Sequence, residues 1–325
     1  MRNVMLFHTK IGLALAVCLG LAGGLAGPAV AQNQSQIKAV ASFSILDDMV
    51  RWVGGERVAV TTLVGPDGDA HVFQPSPGDA KAVADSRVVF VNGLGFEGWM
   101  ERLAQSAGFK GRMVVATEGI KPQKMQEEKD AHGHAHGKPE GKKDDRDAFD
   151  PHAWQDLSNA LVYADNIERG LSEADPAGAA TYKANAAAYK KQIQELDAWV
   201  RAEFAQVAKE RRKVVTSHDA FGYFASAYGV KFLAQVGVST DAEPSARGVA
   251  ALIRQMKREK ITALFVENIT NPKLIEQIGK ETGAKPGPRL YSDALSKPGG
   301  TAETYLKMFR HNVTALKAAM LGGSS

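Results

Sequence analysis

The sequence predicts an α/β protein built as two Rossmann-like β/α lobes joined by one long rigid α-helix, with a binding cleft between the lobes. Three observations predict it. Short Val-rich apolar runs alternate with helical or loop segments in both halves of the chain, as buried parallel strands covered by helices do. Between the halves lies a single extended amphipathic stretch. Three isolated histidines, His71, His152 and His218, each stand in a turn or directly after an apolar run, where open α/β sheets place their binding residues.

Residues 1–31 read as a secretory signal peptide. Basic Arg2 and Lys10 flank the start of an apolar stretch over residues 11–27, and Ala29-Val30-Ala31 supplies the small residues of a cleavage site. The stretch is rich in Gly and Ala and gives way at once to polar Gln32-Asn33-Gln34-Ser35, which argues against a permanent anchor. Cys18 follows Val17, where a bacterial lipobox wants a small residue, so lipidation is not expected. A periplasmic chain starting near Gln32 then has no cysteine, and two hydrophobic cores must hold it together without a disulfide. Losing Arg2 and Lys10 lowers the formal charge from +4 to +2, which gives no electrostatic case for nucleic acid.

The first lobe is expected over residues 32–174, with strands at 37–43, 58–64, 88–91 and 113–116. Residues 123–147 carry Lys, Glu, Asp, Gly and His with almost no large apolar side chain, the composition of a mobile loop. A helical pattern resumes over 151–172. Asp175-Pro176 then reads as an N-cap with proline in the first helical position. From there Tyr182, Tyr189, Ile193, Leu196, Val200, Phe204 and Val207 recur at helical intervals, predicting a linking helix over 175–210 of about 35 residues and roughly 50 Å. The second lobe, 211–325, repeats the pattern with strands at 213–217, 231–235 and 263–267 and helices at 246–259, 272–282 and 301–319.

The histidines carry the chemistry. A lone histidine is more often a hydrogen-bonded surface or core residue, but these three are spread over both lobes at positions suited to a cleft. Asp293, in Tyr291-Ser292-Asp293-Ala294, follows a short apolar run in the second lobe and is the fourth candidate. Three imidazoles and one carboxylate complete a tetrahedral shell, and imidazole nitrogens suit zinc, whereas manganese prefers more oxygen. Asp150, Asp219 and Glu267 are candidates to hold the non-ligating ring N–H groups. His132, His134 and His136 form a separate tract flanked by acidic residues; it reads as an accessory metal-binding loop or a solvated linker, and ordering entropy makes it weaker than a preformed site. His311 reads as a surface or packing residue.

Four blocks carry a resemblance: Gly68-Asp69-Ala70-His71-Val72-Phe73-Gln74-Pro75, Val91-Asn92-Gly93-Leu94-Gly95-Phe96-Glu97-Gly98-Trp99, Asp150-Pro151-His152-Ala153-Trp154 and Thr216-Ser217-His218-Asp219-Ala220-Phe221-Gly222. Together they resemble the zinc and manganese solute-binding proteins of bacterial ABC importers, from about Ile37 to the end of the chain. The resemblance implies metal held between the lobes by His71, His152, His218 and Asp293. A histidine rather than a carboxylate at His218 resembles the zinc branch, with Zn(II) as the bound ion. It also implies a membrane permease as partner; a periplasmic metallochaperone is a further candidate partner, and a monomer is expected. The competing readings are a manganese receptor of the same family, a zinc hydrolase and an adhesin. Against the hydrolase, Asp293 takes the position a water would need, and no His-Glu-x-x-His signature is present.

Overall fold

The computed structural model describes residues 36–125, 149–241 and 244–322. The signal segment with Cys18 and the tract of His132, His134 and His136 lie outside the described residues. In the first lobe β1 (Ile37–Phe43), β2 (Val58–Val64), β3 (Val88–Val91) and β4 (Arg112–Val115) form a parallel sheet in the order β2-β1-β3-β4. Helix α1 (Ser44–Gly54) connects β1 to β2, α2 (Pro77–Asp85) connects β2 to β3, and α3 (Met100–Ser106) connects β3 to β4. Ser76 starts α2 with a capping box to Asp79 and Pro77 in the first turn, which satisfies donors left free at that helix end. The chain leaves β1 toward one edge and β3 toward the other. Their carboxyl ends therefore open a crevice, the usual binding position of such sheets.

In the second lobe β5 (Lys213–His218) pairs in parallel with β6 (Lys231–Val236). The expected strand at 263–267 does not form; single parallel bridges join Val215 to Leu264, Leu264 to Pro286 and Glu267 to Leu290. Pro286 and Pro288 lie in the outer segment and have no N–H to donate, so the ladder is interrupted. The order of these segments nevertheless repeats that of the first lobe. Helices α6 (Gly222–Tyr228), α7 (Ala246–Glu259), α8 (Lys273–Thr282) and α9 (Tyr305–Leu321) complete this half.

Helix α4 (Leu157–Ala174) starts later than expected, because Ala153–Gln155 form a 3-10 turn and the extended Asp156 then caps the Ser158 N–H. It packs on β3 and β4, close enough at Gly170 that a Cβ there would lie 2.5 Å from Val114. The linking helix α5 (Ala179–Ala205) has 27 residues, about 40 Å at 1.5 Å each, and is shorter than expected at both ends. Asp175 makes no side-chain cap. Its carboxylate instead takes Arg57 at 2.8 Å and the Tyr182 hydroxyl at 2.7 Å, and Pro176–Gly178 turn as a 3-10 segment. Beyond Ala205 the chain turns through another 3-10 segment at Lys209–Arg211, with Val207 buried outside the helix.

The predicted stripe of α5 is buried from Tyr182 to Phe204, and the helix packs against α1, α4, α6 and α9. As a result the expected two cores are not divided by lobe. One continuous cluster runs from β1 through α4 and α5 to α9, and a smaller one lies between Val215 of β5 and the inner faces of α7 and α8. The described residues accordingly form one compact unit.

Candidate metal centre

Each of the four predicted residues sits at the carboxyl end of a sheet segment or in the loop that follows it. His71 ends the turn after β2. Gly68 closes that turn onto the Gly65 carbonyl at 3.1 Å, and Asp67 adopts φ 57°, a left-handed conformation that Asp tolerates better than most residues. The Asp67 N–H donates to the Leu295 carbonyl, and Asp69 accepts the His71 N–H at 2.9 Å and the Thr240 hydroxyl at 2.6 Å. His152 follows Pro151, whose carbonyl accepts from Asn92 Nδ2 at 2.9 Å. Asn92 directly follows β3 and is held by the Tyr163 hydroxyl, while Glu97 accepts its N–H at 2.7 Å and the Ser42 hydroxyl at 2.6 Å. Burial pushes the Glu97 carboxyl up, against the pull of those donors.

His218 is the last residue of β5, and Asp293 lies just beyond the Glu267–Leu290 bridge. The four side chains converge. One ligand atom from each lies within 4.8 Å of those of the other three. Asp293 Oδ2 is 3.1 Å from both His71 Nε2 and His218 Nε2, and its Oδ1 is 3.5 Å from His152 Nε2. His152, His218 and Asp293 are fully buried, and the His71 side chain is 6% exposed.

The far side of two rings is held by carboxylates. Asp150 Oδ1 accepts the His152 backbone N–H at 2.9 Å and lies 2.7 Å from its Nδ1. Glu267 Oε1 accepts the His218 N–H at 2.9 Å, while its Oε2 is 2.6 Å from Nδ1, close but too poorly aligned to be a full hydrogen bond. A carboxylate at Nδ1 keeps the proton there and turns the Nε2 lone pair inward. With the rings neutral those lone pairs face the Asp293 oxygens, so acceptor meets acceptor until a proton or a metal ion lies between them. His152 Nε2 and Asp293 Oδ1 are buried with no hydrogen-bond partner, as expected of atoms kept for a metal ion.

The protonation preferences express the same demand for positive charge. Burial disfavours a charged His152, but the charges of Asp293 and Asp150 overcome it and lift the ring to about 9. Burial likewise opposes charge on His218, and Glu267 with Asp293 raises it well above the ordinary histidine range. Burial would raise Asp293; His152 and His218 outweigh it and hold the carboxyl well below the usual range.

Of the three predicted supporting carboxylates, Asp150 and Glu267 reach the rings. Asp219 does not. It feels both histidines through charge, and burial raises it, but its carboxylate makes no hydrogen bond to either ring. His311 stands on α9 and donates to the Arg289 carbonyl at 2.8 Å, away from the centre. Sequence reasoning did not single out Asn92, Glu97, Asp69 or Gln155 for a role. Asn92 directly after β3 had a usable signal, a polar residue at the sheet's switch point.

The family described as ZnuA, zinc-uptake complex component A, periplasmic, matches residues 39–319. The chain belongs to this family. Among its relatives, the manganese-binding lipoprotein MntA of Bacillus subtilis is 35% identical over 290 residues, covering 88% of this chain and 90% of MntA. The iron-binding protein YfeA of Yersinia pestis is 31% identical, with 93% of this chain and 94% of YfeA covered. The Mn-bound periplasmic metal-binding protein from Candidatus Liberibacter asiaticus superposes with a TM-score of 0.74 at 30% identity, covering 88% of this chain and 100% of that one. The periplasmic zinc-binding protein TroA of Treponema pallidum gives a TM-score of 0.79 at 27% identity, with 88% and 99% covered. The proteins this chain resembles are thus named for zinc, manganese and iron.

Proposed function

We propose that this protein is a periplasmic receptor that captures Zn(II) between its lobes and delivers it to the permease of an ABC importer. The observation that carries the proposal is the buried convergence of His71, His152, His218 and Asp293, with carboxylates behind two of the rings. Zinc is favoured because three of the four donors are imidazoles and four ligands suffice for it. The ion is cargo, so the site has to bind and release rather than turn over a substrate. The burial of the ligand set favours a receptor over a hydrolase, which needs an open coordination position.

Manganese is the second reading. It rests on relatives named manganese-binding and on Asp293, whose two oxygens both face the ring nitrogens and can supply an extra oxygen ligand. Metal analysis of protein isolated from its native compartment, followed by zinc–manganese competition, separates the two. Predominant zinc that manganese fails to displace supports the first reading; native manganese overturns it.

The remaining assignments belong to the same proposal. Residues 32–174 and 211–325 are the lobes, the protein works as a monomer, and residues 1–31 are removed on export. Relatives named lipoproteins weigh toward an anchor, Val17 before Cys18 against it; mass spectrometry of the mature N-terminus distinguishes an acylated Cys18 from a free Gln32. His132, His134 and His136 are proposed to gather metal or receive it from a metallochaperone. Deleting residues 126–143 should slow loading from a competing chelator, and unchanged loading removes that role.

A further inference from the structure

We infer that Gln155 is a positioning residue that fixes Asp293 from the opposite lobe and makes His152 and Asp293 one preformed pair. The inference rests on the metal-receptor reading above. Ser292, the residue before Asp293, offers its carbonyl to two first-lobe donors: Trp154 Nε1 at 2.9 Å and Gln155 Nε2 at 2.8 Å. A carbonyl oxygen has two lone pairs, so this one is fully used. The two donors lie two and three residues after His152.

Among the described residues the Gln155 side chain makes no other hydrogen bond. It is 1% exposed, and burying an amide costs free energy unless its donors are satisfied. Its backbone N–H already bonds the His152 carbonyl at 3.0 Å, closing the turn that aims the His152 ring. One residue therefore fixes His152 through its main chain and the Asp293 peptide through its side chain. Trp154 also packs against the His152 ring, with centroids 5.2 Å apart, and its carbonyl accepts the Tyr305 hydroxyl. Trp154 thus serves the core as well as the clamp, whereas the Gln155 amide serves the clamp alone.

Two neighbouring ligands held in register lose less freedom when an ion binds, so tighter binding and slower dissociation follow. The test is Gln155→Met, which keeps the volume and removes the donor while Trp154 still satisfies the Ser292 carbonyl. Zinc affinity and dissociation rate are measured by chelator competition and chase, together with thermal unfolding of the metal-free protein. The expected result is about a tenfold loss of affinity, mostly as faster dissociation, with little change in unfolding temperature.

A role through Asp293 has a further signature. The loss should shrink to about twofold in an Asp293→Asn background and persist in a His71→Ala background, as coupled and uncoupled pairs do. Zinc affinity and dissociation equal to wild type in Gln155→Met overturn the inference, as do equal losses in both backgrounds. If Gln155→Met does not unfold cooperatively, Gln155→Asn, which retracts the same amide, is judged by the same criteria. A wild-type protein that binds neither zinc nor manganese defeats the receptor reading itself, a distinguishable outcome.

Discussion

Replacing Glu267 with Gln isolates the carboxylate that stands behind His218. Glu267 is fully buried and touches His218 twice, at the backbone N–H and at ring Nδ1. Gln keeps the volume and one acceptor, so the backbone contact survives. Its NH2 group, however, faces Nδ1 and makes that nitrogen an acceptor, which moves the ring proton to Nε2, where it points at Asp293 and competes with any cation. Loss of such an outer partner typically lowers metal affinity 10–100-fold, or about 1.4–2.7 kcal/mol. Affinity is read by zinc competition against a chromogenic chelator at pH 8, with Asp219→Asn as the comparison. Asp219 acts only through charge and should cost less than Glu267. Glu267→Gln within twofold of wild type, or weaker in effect than Asp219→Asn, would refute the tautomer argument.

Metal affinity should keep rising with pH up to about 9. His152 is lifted that far by Asp293 and Asp150, and a divalent ion must displace its proton. An affinity that levels off near 6.5, the ordinary histidine value, contradicts this. Asp293→Ala should weaken zinc binding at least as much as His71→Ala, because Asp293 faces all three rings whereas His71 is the least buried ligand; isothermal titration compares them. Asp48, pushed by burial from 3.8 to about 7, accepts the Tyr305 N–H at 2.9 Å across the lobes. Its native pKa is raised, so the folded state loses stability as pH climbs from 4 to 7, by at most about 4 kcal/mol. Asp48→Asn should therefore raise the melting temperature at pH 8 and lose that advantage below pH 4, as thermal denaturation across pH can check.

Elements with strong local signals were legible. Strand β3 stands out because it is continuously apolar and wholly buried, and the α5 stripe from Tyr182 to Phe204 stands out by its period. The strand expected at 263–267 failed because its partner segment carries Pro286 and Pro288, and a missing donor on a neighbour leaves no mark in the strand's own residues. Asp175 looked like a cap by local rules but is drawn to Arg57 and Tyr182, contacts that local sequence does not encode. The linking helix starts late for the same reason.

What the sequence by itself determined was the set of candidate donors, His71, His152, His218 and Asp293, whose chemical types are set by residue identity and whose places in turns or after apolar runs are read from the chain. Only the tertiary structure decided how they work together. Distances of 3.1 to 3.5 Å around Asp293, and the division of labour among Asp150, Glu267 and Asp219, depend on side chains far apart in the chain. Hydrogen bonds and charge interactions act over a few ångströms, and which groups come that close is fixed by packing across the lobes rather than by neighbours in sequence.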